Sequence, residues 1–327
     1  MSNTPFEHLH AIELPTPFPV GPVTVYLADA PGEPLTLLDT GPLHPPTWAA
    51  LQAGLAALGY TPAHLERIVL SHAHVDHVGL AAGLVDTSGA QVLTHPWNVA
   101  QLGDHQANRE RTVAFYADLL CRAAVPAEVL AAVGWVTRGM ESFARPVAVS
   151  ATLDEGQTIR LAGRDWQVLH TPGHSAGLIC FYEPQSRTLL SGDHLLADIS
   201  SNPVVEPPPP DRAERLYSLA AYRDSLRRVA AMEIALALPS HGPIIADVAG
   251  LVARRLAFHE QRLAQVLDAL GDGARTTWDV VHTLFPNRSP LDTFLAVSEV
   301  IGHLDVLELE GKIKGSVYDG IIQWSFS

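Results

Sequence analysis

The chain has 327 residues, 47% hydrophobic and 17% charged, which describes a well-cored globular protein longer than one hydrophobic core usually serves. Its 35 Asp and Glu against 21 Lys and Arg give a net charge of −14, which repels phosphate polymers over the surface as a whole and so argues against nucleic acid without excluding it. No apolar run reaches the roughly 18 residues of a membrane span, residues 1–14 lack a basic-then-apolar leader, and Cys121 and Cys180 cannot make a disulfide framework; the expectation is a cytoplasmic protein.

In chain order, residues 23–27 and 35–38 read as strands, 47–58 as an Ala/Leu-rich helix, and 67–70 as a buried strand. A helix-like stretch follows Gly79, then a strand at 91–94. Residues 99–143 carry helix propensity at 113–123 and 127–133 and no strand signal, so they read as a helical insertion, a candidate lid or homodimer surface. Two hairpins are expected next: 158–170, turning near Gly163-Arg164, and 178–190, turning near Pro184-Gln185. The four prolines at 207–210 force a non-helical loop, and a helix at 213–230 and a strand at 234–238 complete a large unit spanning 1–248. In the remainder, 249–327, helices at 251–270, 277–285 and 291–309 precede a hairpin around Tyr318-Asp319-Gly320.

The run His72-Ala73-His74-Val75-Asp76-His77 places three imidazoles and a carboxylate directly after the strand at 67–70. Near neutral pH imidazole offers a lone pair and carboxylate a charge, a donor set suited to zinc, manganese or iron. His72 and His74 point to one side of an extended segment, while Asp76 and His77 face a second direction where the chain turns into a helix, so the cluster can feed two metal positions. Chance is a poor explanation, since such a pattern arises in about one chain in several hundred of this length. Further candidate ligands sit where other strands end: His174 in Thr171-Pro172-Gly173-His174, Asp193 in Ser191-Gly192-Asp193-His194, and His241 in Pro239-Ser240-His241. Each alone reads as structural; their shared context reverses that.

These stretches, with Leu37-Leu38-Asp39-Thr40-Gly41, resemble the motif series of the metallo-β-lactamase-fold hydrolases over about residues 20–245. The resemblance implies an α/β fold, an αββα sandwich with a binuclear centre between the tops of its two sheets. It implies that His72, His74 and His174 hold one divalent ion, that Asp76, His77 and His241 hold the other, that Asp193 bridges them, and that Asp39 supports without ligating. Two such ions, zinc before manganese or iron, activate a shared water and polarise the scissile carbonyl or phosphoryl group. Asp76 is the catalytic candidate; His194, Tyr217 and Tyr222 are weighed as leaving-group acids, with packing the better reading of all three. Asp193 stands where true metallo-β-lactamases of this resemblance carry Cys or Ser, which turns the reading from antibiotic hydrolysis. His74 replaces the glutamate of the flavin-linked di-iron relatives, which disfavours redox use.

The subgroup it looks most like is glyoxalase II-like or lactamase-β-like protein 2-like. Helix, helix, helix, hairpin at the C-terminus resembles a winged helix, and some bacterial relatives with this combination cleave single-stranded RNA. The would-be recognition helix at 291–309 carries Asp292, Glu299, Asp305 and Glu308 and no Lys or Arg, so packing, dimerisation or shaping of the pocket mouth is favoured over DNA binding. The expected function is hydrolysis of a small ester, thioester or lactone. Endoribonuclease activity is the alternative within that class, and a winged-helix nucleic-acid regulator with a structural metal site is the alternative outside it. Arg254, Arg255 and Arg262, and Arg109, Arg111, Arg122, Arg138 and Arg145 of the insertion, are the basic residues near the expected entrance.

Overall fold

The computed structural model describes residues 4–103, 105–286 and 290–327. The chain begins β1 (Leu9–Leu14), β2 (Val23–Ala28), β3 (Thr36–Leu38), α1 (Pro45–Ala57), β4 (Arg67–Val69), α2 (Val75–Val78), α3 (Ala81–Ser88) and β5 (Gln91–Thr94). The insertion supplies α4 (Val99–Gly103), α5 (His105–Arg122) and α6 (Ala127–Met140), and β6 (Ala151–Thr152) closes the first sheet. Then come β7 (Thr158–Leu161), β8 (Arg164–His170), β9 (Ile179–Glu183), β10 (Thr188–Gly192), α7 (Ser218–Ala230), β11 (Leu236–Pro239) and α8 (Val248–Leu270). The C-terminal segment adds β12 (Arg275–Thr276), α9 (Thr277–Leu284), α10 (Pro290–Leu309), β13 (Ile313–Tyr318) and β14 (Ile321–Phe326).

Period-two burial makes the sandwich. In β2, Val23, Val25 and Leu27 face one core while Tyr26 and Ala28 face another, because successive strand side chains point to opposite faces. The sheets run β1-β2-β3-β4-β5-β6 and β11-β10-β9-β8-β7. Their inner faces close on Leu9, Tyr26, Leu38, Val69, Trp166, Phe181 and Leu238. Outside the first sheet, α1 and α3 bring Leu51, Leu55 and Leu84; outside the second, α7 and the start of α8 bring Tyr222, Leu226 and Leu251. This is the expected αββα arrangement. Strands β3, β4 and β5 run parallel, as do β10 and β11, and β8 runs the same way as β10 because both are antiparallel to β9. Parallel strands end together, so their C-terminal loops gather at one edge.

A second core lies beside the sandwich. It joins Leu120, Ala123 and Val125 of the insertion to Leu263 and Val266 of α8, Val280 of α9, Val300, Ile301 and Leu304 of α10, and Trp324 of β14. The insertion therefore packs with the C-terminal segment as one helical body. Helix α8 serves both units: its first turns lie on the sandwich and its last turns in the second core. Helix α10 is enclosed by α6, α7, α8 and α9. Asp305, one of the acids of this helix, is 3% exposed and accepts two hydrogen bonds from Arg215, both 2.7 Å. The helix expected from 213 starts at Ser218, after Arg215 has turned its side chain to Asp305 of α10.

Strand β1 carries no clean sequence signal, because Leu9 and Ala11 turn inward while Ile12 and Leu14 turn outward. An apolar residue on each face blurs the alternation on which strand recognition rests. Among the described residues no helix is long and apolar enough to cross a membrane.

Candidate metal centre

The loops at the shared strand edge bring seven side chains together. His72 and His74 follow β4, and the single turn of α2 carries Asp76 and His77. His174 follows β8, Asp193 follows β10, and His241 follows β11. Gly173 has φ +140°, and a Cβ there would sit 2.3 Å from the Tyr222 Cβ and 2.4 Å from its Cα. Only glycine lets the loop bearing His174 lie against α7.

One potential ligand atom from each of His72, His74 and His174 falls within 4.8 Å of the others, and the same holds for Asp76, His77 and His241. His74 Nδ1 is 3.0 Å from His72 Nε2 and 2.9 Å from His174 Nε2. Asp76 Oδ2 is 3.7 Å from His77 Nε2 and 3.5 Å from His241 Nε2. Asp193 divides its two oxygens between the triads. Its Oδ2 is 3.4 Å from His174 Nε2; its Oδ1 is 3.4 Å from His77 Nε2 and 3.8 Å from His241 Nε2.

Hydrogen bonds behind the rings decide which nitrogen faces inward. Asp39, at φ +57° after β3, accepts from His77 Nδ1 at 2.9 Å and from the Ser71 amide and hydroxyl, both at 2.8 Å. The Ser71 oxygen in turn accepts from His72 Nδ1 at 3.0 Å. His174 Nδ1 donates to the Asn202 carbonyl at 3.1 Å, and His241 Nδ1 to the Pro22 carbonyl at 2.7 Å. With Nδ1 protonated, each of these four rings presents the Nε2 lone pair to the centre. His74 is turned the other way: Nδ1 faces inward and Nε2 faces Glu206 Oε1 at 3.7 Å.

The electrostatics suit a cation. Burial opposes charge on Asp76, yet His77 and His241 hold its carboxyl at about 2, and His77 holds Asp193 well below the ordinary carboxylate range. Burial, reinforced by neighbouring histidines, lowers His72 well below its ordinary value and His174 to about 4. His77 goes the other way: burial is outweighed by Asp193, Asp76 and Asp39, so it takes a proton readily. Anionic carboxylates and neutral imidazoles are the forms that bind metal. Among the described residues His77 Nε2, Asp193 Oδ1 and His241 Nε2 are buried without a hydrogen-bond partner, a costly arrangement unless something positive sits between them. The donor set and the orphaned atoms therefore fit divalent metal ions.

The side chains weighed as leaving-group acids are engaged elsewhere. His194 is fully buried, its ring set edge-on to Tyr222 at 5.5 Å; burial and Arg228 bring it to about 3, so at neutral pH it has no extra proton to give. Tyr222 donates its hydroxyl to the His194 carbonyl at 2.8 Å, and burial pushes it well above its ordinary value. Tyr217 is 40% exposed at the start of α7 with Arg215 over its ring.

The basic residues near the expected entrance are also committed. Arg255 donates to the carbonyls of Leu196, Ala197 and Ile199, Arg262 pairs with Glu299 at 2.9 Å, and Arg254 pairs with Asp247 on the surface. In the insertion Arg111 reaches the Pro208 carbonyl, Arg122 pairs with Asp118, and Arg145 with Asp86; the side chain of Arg138 lies outside the described residues. Sequence reasoning missed Glu206, a single acid before the proline run that local pattern gives no reason to single out.

The family model of the metallo-β-lactamase superfamily matches residues 18–241. The chain belongs to that superfamily. The probable metallo-hydrolase YqjP of Bacillus subtilis is 35% identical over 94% of each chain. An atrochrysone carboxyl ACP thioesterase of Emericella nidulans is 30% identical over 53% of each chain. The crystal structure of the metallo-β-lactamase family protein TTHA1429 from Thermus thermophilus superposes with a TM-score of 0.83 at 28% identity, over 99% of this chain and 100% of that one. The superposition takes in both the sandwich and the helical body, so the whole arrangement is shared. The expected class, a metallo-hydrolase of the metallo-β-lactamase superfamily, stands.

Proposed function

We propose that this metallo-β-lactamase-fold chain is a binuclear metal-dependent hydrolase of small acyl substrates, thioesters before esters and lactones. The observation that carries the reading is Asp193, whose two oxygens face the two ligand triads beside buried, unpartnered donor atoms on His77 and His241. Two divalent ions, zinc before manganese or iron for an imidazole and carboxylate set without thiolate, would supply Lewis acidity and an activated water. His72, His74 and His174 would hold one, Asp76, His77 and His241 the other, and Asp193 would touch both. Asp76, anionic at rest, would take the proton of the attacking water on the carboxylate oxygen that does not face His77 and His241 and return it to the leaving group.

The choice of thioester rests on two supports. The relative from Emericella nidulans bears the name of a thioesterase. Chemically, a departing thiol has a pKa of about 8.5 and needs little help from an acid, which suits a site where His194 and Tyr222 are turned to packing. RNA cleavage is disfavoured by the charge of −14 and by internally paired arginines. A winged-helix regulator is disfavoured because α10 lies against α6, α7, α8 and α9 with Val300, Ile301 and Leu304 buried.

The test is a panel of acyl thioesters, esters, lactones and single-stranded RNA, run on metal-quantified protein with Asp76→Ala as control. Thioester turnover that falls at least about 100-fold in Asp76→Ala is expected. Turnover that survives the substitution, or turnover of RNA alone, contradicts the proposal.

A further inference from the structure

The two triads differ in what holds them. His77 and His241 lean on Asp39 and Pro22, both belonging to the sandwich. His74 and His174 lean on residues 202–206, a strap that leaves the sandwich after β10 and crosses to the helical body. The Asn202 carbonyl accepts from His174 Nδ1. Glu206, with its side chain 11% exposed, accepts the Ala176 amide through Oε2 at 2.6 Å and turns Oε1 to His74 Nε2 at 3.7 Å. Between them Val205 is fully buried in the second core; its amide donates to Ser298 Oγ of α10 at 2.7 Å, and its carbonyl accepts from Tyr116 of α5 at 3.0 Å.

We infer that Glu206 is a positioning residue for the ion held by His72, His74 and His174, and that the strap makes this ion's affinity depend on the docked helical body. The inference rests on the proposed binuclear reading and deepens it. A histidine that binds metal through Nδ1 must carry its proton on Nε2, and an acceptor behind that nitrogen fixes the tautomer and raises ligand basicity. Among the described residues Glu206 is the carboxylate facing His74 Nε2, at 3.7 Å, within ion-pair reach of a proton carried there. Charge leads to the same place. The Asp76 triad contains a carboxylate of its own, whereas the three-imidazole triad has only its share of Asp193, and Glu206 lies directly behind it. By also holding the Ala176 amide, the same carboxylate fixes the loop that carries His174.

The experiment is a Zn2+ titration of the metal-free full-length protein against a chromophoric chelator, resolving two binding steps. His74→Ala and His241→Ala identify which step belongs to which triad. Glu206→Gln keeps one acceptor oxygen where two are used. It is expected to weaken the His74 step about 10- to 100-fold and to leave the His241 step within about twofold. Ser298→Ala, remote from the centre, is expected to weaken the same step about 3- to 10-fold through the strap, and it decides the matter if Glu206→Gln does not fold. Both steps unchanged, or both weakened alike, overturns the inference while leaving the binuclear reading intact. A wild-type protein that takes up no Zn2+ overturns that reading itself.

Discussion

The two triads differ in composition, three imidazoles against two imidazoles and a carboxylate, and they also depend on different parts of the molecule. The Asp76, His77 and His241 triad is supported from within the sandwich, by Asp39 at the end of β3 and the Pro22 carbonyl at the start of β2. The His72, His74 and His174 triad is supported partly by Ser71 and partly by a strap whose anchor points lie on α5 and α10. One sandwich thus holds a triad supported by its own backbone and side chains beside a triad whose support reaches into a second core. The difference gives the C-terminal segment and the insertion a physical task at the site, although Arg111, Arg122, Arg145, Arg254, Arg255 and Arg262 are paired elsewhere.

The largest expected effect that probes this contrast is at Asp39, which holds His77 directly and reaches His72 through Ser71. Asp39→Asn is expected to weaken both Zn2+ steps, the His77 step by about 10- to 100-fold, where Glu206→Gln affects one. A titration in which Asp39→Asn spares the His72 step would remove Ser71 as a relay and narrow the contrast.

A smaller effect concerns the seam between the two cores, where His259 on α8 and His303 on α10 are buried with rings 6.3 Å apart. Burial, with His303 and nearby arginines as further causes, brings His259 to about 3; burial, with Arg262 and Arg223 as further causes, brings His303 to about 4. Both are neutral when folded and take up protons on unfolding below about 6.5. Their contribution is complete above that pH and is lost as the pH falls toward 4, since the unfolded chain then binds more protons. Thermal unfolding of metal-free protein at several pH values should show Tm falling from about pH 6.5 to about pH 4. The double variant His259→Gln with His303→Gln should flatten that slope; an unchanged slope would assign the acid sensitivity to other groups. The smallest effect is at Arg254, exposed and, among the described residues, paired with exposed Asp247 at 3.4 Å. Arg254→Ala should change stability by less than about 1 kcal/mol and leave KM unaltered; a marked rise in KM would return the C-terminal arginines to substrate recognition.

What can be read from the sequence divides along the same line. Four of the seven clustered residues fall in one run after β4 and the other three each follow a strand and a short turn, a local pattern, and the αββα order follows from period-two strands interleaved with helices. Asp39 is readable because it sits in a compact motif after β3. Glu206 is not: its role depends on where a proline-rich loop crosses a helical body assembled from segments more than a hundred residues apart in sequence. The insertion and the C-terminal segment read as separate pieces, because nothing local says that Leu120 and Leu304 share a core. Asp305 likewise reads as a surface charge unless Arg215 is known to lie beside it. Motifs report contacts within a loop, whereas tertiary partners leave no such trace.

The central claim is that Asp193 stands between two metal ions. Anomalous diffraction from crystals of Zn2+-loaded protein tests it directly. Two peaks about 3.5–4 Å apart are predicted, one beside His72, His74 and His174, the other beside Asp76, His77 and His241, with Asp193 touching both. A single peak, or a pair that Asp193 does not join, would contradict the account.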